Sequence, residues 1–316
     1  MIKVNSLYTP FLSKGNKKSM NTTNKKIFYI LMTIAMLAWG ASWVHAKVLS
    51  AYINEYELVF LRNIFTVLAM VPFLFFSKKS FKINFKSLLL AIGVSIVMIL
   101  YLKFYFLGTK FGTASLGGAL VTTLVPINTF ILMALFFNRK IERKDKFALV
   151  LGAVGVLTML NIWSFSIDDI FTQHNLYFIV ASILWPILTI LSSKATKVSP
   201  IIFSFYVYVI MIILVLIFFV DISQIQYESY DSIFWINIIS LGVFSTSFAT
   251  TIYFVGVEKL GTNEVSSFIF LVPFFAITLS IIFLQEEVHL SIIVGTILTL
   301  IAVKTLNNIT IFKKSS

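Results

Sequence analysis

The chain has 316 residues, 59% of them apolar and only 12% charged, about half the charged share of an ordinary soluble domain. No soluble core could bury that apolar fraction, so the solvent of this fold is lipid. The formal net charge of +12 does not point to nucleic acid, because the basic residues sit in loops between apolar runs rather than in one patch.

The sequence has no cysteine, which excludes disulfides, thiolate metal sites and cysteine nucleophiles. It also contains no HExxH, GxxxxGK[ST] or GxSxG motif, so metalloprotease, nucleotide-hydrolysing and α/β-hydrolase chemistries lack their signatures. His45, His174 and His289 are scattered, and no metal site or cofactor is expected. The chain does not read as an enzyme.

Residues 1–26 form a polar, lysine-rich segment expected in the cytoplasm. Met20 opens MNTTNKK and offers an alternative translation start; residues 1–19 read equally as a disordered basic tail. Ten apolar segments follow, at 27–48, 57–77, 88–108, 114–137, 147–164, 176–195, 200–220, 234–254, 264–284 and 289–308. Most are near the roughly 20 residues that a membrane-crossing helix needs. The first run is too long for a signal-peptide core. A short cytoplasmic tail, 309–316, ends the chain. With ten crossings and a cytoplasmic N-terminus, every Lys and Arg except Lys47, Arg62, Lys103 and Lys110 falls on the inner side, as the positive-inside rule requires. An odd number of crossings would break that alternation.

An ionisable residue inside a spanning helix costs about 2.5–3.5 kcal/mol on insertion scales, so such residues are functional candidates. In the first helix Trp39 sits near the inner end and either anchors the helix or lines a cavity. His45 can titrate near neutral pH and couple transport to protons, or it forms a local hydrogen bond with Ser42 one turn earlier. Lys47, near the outer end, either snorkels to the headgroups or packs against a neighbouring helix, or it faces an anionic ligand group. Arg62 in the second helix is expected to pair with Glu57 or Glu55 in preference to touching a ligand. In the third helix Lys103, flanked by Tyr101 and Tyr105, is expected at the outer interface, with the pore as the alternative.

The fourth helix holds Thr122, Thr123, Asn128 and the mid-helix Pro126; the ninth holds Ser266, Ser267, Thr278 and Pro273. A mid-helix proline frees a carbonyl and loosens the helix, which suits gating, or it makes a static kink. The sixth helix carries Trp185. The eighth carries the densest polar run, STSFATT at 245–251, with Ser247 inside it and Tyr253 beyond. These hydroxyls bind substrate or satisfy neighbouring helices.

The two halves share landmarks in the same order. KFGT at 110–113 mirrors KLGT at 259–262, and LVPINTFILMALFFNRKI at 124–141 lies against FLVPFFAITLSIIFLQEEV at 270–288 with Pro126 and Pro273 in register. Trp39 in LAWGASWVHAK matches Trp185 in ILWPILTILSSK. A polar stretch, NIWSFSIDDIFTQHN at 161–175, separates the halves. Because each half has an odd number of crossings, the second must enter the membrane from the opposite side. The fold class expected is an all-α integral membrane protein of ten transmembrane helices arranged as two inverted five-helix repeats, 27–164 and 175–308.

At these residues the chain resembles the drug/metabolite transporter superfamily, specifically its EamA-type ten-helix members. The carriers of the resemblance are WGASWVHAK at 39–47, Arg62, the proline-centred fourth and ninth segments, and Gly155 and Gly295. Glu286 fits the acidic place thirteen positions after the family's proline, whereas Arg139 occupies it in the first half and breaks the family's acidic pair. The resemblance implies an inner-membrane secondary transporter that moves a small polar or amphipathic, amino-acid-like metabolite by alternating access. It also implies export as the direction, driven by protons or a counter-substrate, by a chain acting alone or as a homodimer. The alternative within transport is uptake of an anionic metabolite through Lys47, Arg62 and Lys103. A membrane-embedded enzyme or receptor would carry clustered acids or a soluble output region, and neither is present.

Overall fold

Residues 22–76, 80–136, 141–164, 171–196, 198–260, 265 and 268–307 are described by the structure, a computed structural model. Most of the N-terminal tail with Met20, the position of Arg139, Ser266, Ser267 and the tail 309–316 lie outside the described residues. Within them the chain is helical and has no strand. The helices are α1 (Thr22–Leu49), α2 (Glu55–Phe76), α3 (Phe85–Phe111), α4 (Ala114–Phe136), α5 (Arg143–Met159), α6 (Gln173–Ser192) and α7 (Pro200–Phe218). Then come α8, built from Ser232–Ser240, Leu241–Phe248 and Ala249–Leu260 in direct succession, α9 (Leu271–Leu284) and α10 (Leu290–Asn307).

Seven of these, α1 to α4 and α6 to α8, are long and apolar enough to cross a membrane; α9 and α10 are shorter apolar helices. The ends follow local chemistry. Asn84 caps α3 by accepting from Ser87 N–H at 2.8 Å, and Asp231 caps α8 by accepting from Phe234 N–H at 2.9 Å. Glu142 and Asp145 close a reciprocal capping box on α5. That helix starts four residues before its predicted segment and stops at Met159, where Asn161 at φ 56° turns the chain. The polar start was hidden from an apolarity reading because the cap, not hydrophobicity, nucleates it.

Large apolar side chains face outward, among them Leu68, Phe75, Phe136, Ile217 and Phe283. An outside as apolar as the core is stable only in lipid, where association rests on close packing instead of on water exclusion. Small residues provide it. Ala276 of α9, fully buried, sits between Gly40 of α1 and Gly118 of α4, and a Cβ on either glycine would collide with α9. Gly155 of α5 and Gly295 of α10 bring two backbones into contact.

The packing partners form an exchange pattern. Helix α1 packs on α9 and α6 packs on α4; α3 packs on α6 and α8 packs on α1; α2 packs on α8 and α7 packs on α3; α5 and α10 pack on each other. Swapping each helix for the one five places along maps the first six of these pairs onto one another and the α5–α10 pair onto itself.

Candidate functional site

Helix α8 is not a regular α-helix. Between Leu241 and Phe248 it widens into a π-helical segment, and the hydroxyl of Thr246 donates to the carbonyl of Leu241 five residues back, at 2.8 Å. Elsewhere the helices tie many hydroxyls to carbonyls three or four residues back, as Ser182 does to Ile179, Thr123 to Ala119 and Ser280 to Ala276, each at 2.7 Å. Such π segments are costly and concentrate at functional sites. This one holds LGVFSTSF, with Ser245, Thr246 and Ser247 all buried.

Its hydroxyls reach across the bundle. Ser245 donates to the carbonyl of Ala38 in α1 at 2.7 Å. Thr246 accepts from Arg62 Nε of α2 at 2.9 Å. The hydroxyl of Thr66 lies 2.9 Å from the Arg62 carbonyl and 3.1 Å from that of Gly242, stitching α2 to the start of the wide turn. A Cβ on Gly242 would stand 2.8 Å from the Arg62 carbonyl, so only glycine lets α2 approach this closely. The Arg62 guanidinium also acts electrostatically on the hydroxyls of Tyr101 and Tyr105 in α3 and Tyr208 in α7. The pairing expected with Glu57 or Glu55 is not formed. Glu57 turns back instead, accepting from Asn54 N–H at 3.1 Å at the start of α2, and Arg62 extends inward to Thr246.

Depth follows from helical rise. Counted from the end where α2 and α8 begin and α3 and α7 finish, Arg62, Tyr101, Tyr208 and Thr246 lie about 10–21 Å in, within a hydrocarbon core of about 30 Å. That shared end is held by Tyr52, whose hydroxyl donates to Asp231 at 3.0 Å, and by the stacked rings of Tyr56 and Phe219, 4.3 Å apart.

The remaining candidates divide into two groups. Near the junction, the Tyr101 ring packs on Trp185 at 4.9 Å, and the Trp39 ring lies 5.2 Å from that of Tyr253. Tyr105 donates to the carbonyl of Ser42 at 2.8 Å, and its ring stands 4.4 Å from Trp43. His45 Nδ1 is 2.7 Å from the side-chain oxygen of Asn237 in α8, so its partner is in another helix and is not Ser42, whose hydroxyl donates to Trp39 O. Ser247 is buried in the wide turn.

Away from the junction, Asn128 donates to Ser182 at 2.9 Å and joins α4 to α6. Lys103 stands 5.4 Å from the Tyr56 ring, near the start of α2. Lys47 donates to the carbonyls of Lys110 and Gly112 at 3.1 and 2.6 Å, at the C-terminus of α3. Beside it Glu286 accepts from the N–H groups of Ala114 and Ser115, at 2.7 and 2.9 Å, at the N-terminus of α4. Gln285, at φ 53°, turns the chain so that Glu286 reaches across. A cation thus sits on a helix C-terminus and an anion on a helix N-terminus, each complementing the dipole it meets. Glu286→Ala is therefore expected to destabilise the protein by about 2 kcal/mol, the scale of a charge-assisted bond lost from two helix N–H groups, with Glu286→Gln losing less. Thermal unfolding of the detergent-purified variants measures this; an unchanged midpoint for Glu286→Ala would refute it.

The two prolines differ. Pro126 lies inside the continuous α4. Pro273 is the third residue of α9, in a first turn where its missing N–H removes no bond within that helix; Phe268 is helical and Ile269 and Phe270 form a turn, so the interruption lies just ahead of the proline.

Sequence reasoning passed over Asn237, Tyr208 and Asn63. Tyr208 is hydrogen-bonded to Thr250 of α8, and Asn63 is fully buried with neither amide atom bonded. Asn63 beside Arg62 was visible as two consecutive polar residues in an apolar helix; Tyr208 carried no signal of its own.

An apolar bundle with polar and cationic side chains gathered at mid-depth defines a multi-pass membrane protein with an interior polar site. The EamA-like transporter family model matches residues 26–161 and again 173–307, and the chain belongs to that family. Among curated proteins it is 28% identical over 180 residues to an S-adenosylmethionine uptake transporter of Rickettsia felis, covering 55% of this chain and 57% of that one. It is 24% identical over 268 residues to the uncharacterized transporter YoaV of Bacillus subtilis, covering 83% and 90%. A solved crystal structure at 14% identity superposes with a TM-score of 0.61 over 90% of this chain and 98% of its own, a likeness of fold.

Proposed function

We propose that this chain is a secondary transporter that moves a small polar or amphipathic, amino-acid-like metabolite across the inner membrane by alternating access. The observation that carries this is the π-helical segment of α8: irregular backbone at membrane depth is tolerated only where it is buried in protein or lines a cavity, and here it gathers Ser245, Thr246 and Arg62. The transport site is the junction of α1, α2, α3, α7 and α8.

Ten crossing helices form two inverted repeats, 27–164 and 175–308, with both termini cytoplasmic. Three observations support that arrangement. One family model matches each half. Most of the strongest packing pairs map onto each other when helices are exchanged five places along, although α4 on α10 has no comparable counterpart in α9 on α5. The basic residues alternate by side in the sequence. The direction implied by the family resemblance is export. Uptake is the second reading, favoured by the relative named as an uptake transporter.

Metabolites inside and outside cells expressing the wild type, or the Ser245→Ala, Thr246→Val double variant at equal membrane abundance, provide the test. A compound depleted inside and enriched outside only with the wild type is expected. Enrichment inside would replace export with uptake. No difference between wild type and cells lacking the protein would overturn the carrier reading.

A further inference from the structure

We propose that Arg62 is the anchor for a carboxylate of the transported compound, and that the compound carries one such group beside an apolar or aromatic body. This rests on reading the junction as the transport site. A guanidinium has five N–H donors in a planar fork. In Arg62 the Nε donor is spent on Thr246, and the four terminal donors have no acceptor among the described residues. No carboxylate of the described residues is within ion-pair distance of it, since Glu57 is turned back onto Asn54.

A cation turned inward about 10 Å from the start of its helix, without a counter-charge, is costly to hold, and in such sites it is retained for an ion or substrate. The sequence offers no internal remedy. The 13 acidic residues fall in loops or near the segment ends, and none lies in the middle of a predicted span. The compound itself must therefore bring the anion.

The surroundings narrow its chemistry. Tyr105 and Tyr208 already direct their hydroxyls to Ser42 and Thr250, whereas the Tyr101 hydroxyl has no hydrogen-bond partner among the described residues and is free to join Arg62 on the same anion. The Tyr101 ring packs edge-on against Trp185 at 4.9 Å, so the free hydroxyl stands beside aromatic surface that suits an apolar part of the compound. Two of the other three outer cations are engaged, Lys47 on two backbone carbonyls and Lys103 on the Tyr56 ring, and Lys110 is exposed. A doubly charged phosphate would meet a single guanidinium and keep one charge uncompensated, while a carboxylate matches its fork and its charge.

The test uses proteoliposomes of the full chain given a cell metabolite extract, either native or after methyl esterification of its carboxylates, with protein-free vesicles as the background. Compounds retained by the wild type from the native extract are expected to carry a carboxylate, and their esterified forms are expected not to be retained above background. Arg62→Gln should lower retention about a hundredfold or more, the consequence of removing one partner of a buried charge pair, and Arg62→Lys should restore part of it. The esterified arm uses wild-type protein, so it stands even if Arg62→Gln fails to fold. Retention of uncharged compounds, of phosphate esters lacking a carboxylate, or of esterified compounds at the native level would overturn the proposal while leaving the carrier reading intact. Retention of nothing above background would overturn both.

Discussion

Gly295→Val is expected to remove most of the folded protein from the membrane. A Cβ at Gly295 would lie 2.5 Å from the carbonyl oxygen of Gly155 and 2.8 Å from the backbone nitrogen of Met159. The reciprocal Cβ at Gly155 would lie 2.9 Å from both the Gly295 carbonyl and the Thr299 nitrogen. These neighbours are main chain, so no rotamer change relieves the clash, and α5 and α10 must separate along the crossing. Overpacking typically costs about 1–3 kcal/mol where side chains can yield. Here nothing can yield, and the close contact is itself the source of attraction between helices in lipid. Gly93→Ala is the internal control, because a Cβ there meets nothing within 4 Å and alanine is the better helix former. Detergent-solubilised yield and melting temperature of the two variants should diverge, with Gly295→Val low in both and Gly93→Ala equal to or above wild type. Equal yields would show that the α5–α10 crossing is not as tight as drawn.

The glycine pair was legible in the sequence only as a family landmark; its physical role needed the crossing. Much of the fold could be read because lipid simplifies the code. Long apolar runs bounded by lysines mark the helices, and most segment ends agree with the helices within a few residues. The disagreements have physical causes. α5 begins on charged residues because its capping box, not its hydrophobicity, sets the start. Pro273 looked like a mid-span break because the segment was counted from 264, whereas α9 runs from Leu271.

The site was harder to read. Arg62 and the STSFATT run were visible as polar residues in apolar helices, but nothing in one sequence says that they meet. Spacing along α2 favoured Glu57 as the arginine's partner. Tertiary packing instead put Thr246 within reach, and Glu57 found a backbone N–H. Lys47 had two unlike readings, headgroup or helix packing against a ligand contact; its two carbonyl acceptors at the end of α3 are helix packing, but which helix it meets depends on a neighbour 63 and 65 residues away. The π segment had no signal at all. An added residue in one turn shifts the helical phase, and a helix apolar on nearly every face hides a phase shift.

That added residue gives the most discriminating experiment on this chain. Deleting Phe244, whose side chain is 57% exposed and faces outward, should let the widened turn relax to a regular α-helix. A π turn absorbs its extra residue locally, so the two flanks of α8 keep their neighbours. Asn237 stays on His45, Tyr253 stays on Trp39, and Gly256 stays against Met32. Thr246 then stands four residues after Leu241 and binds its carbonyl like the ordinary threonines of α4. The combination of Ser245 on Ala38 and Thr246 on Arg62 depends on the wide turn and is lost. Regular hydrogen bonding also removes the cost of the π geometry, and functional sites commonly trade stability for such geometry. The expected result is a protein that melts at or above the wild-type temperature and has lost transport. If transport survives in a folded deletion variant, the wide turn is a packing accident and the site lies elsewhere. If the variant does not fold, the flanks do not keep their register, and the π segment spans a longer correction than a single residue.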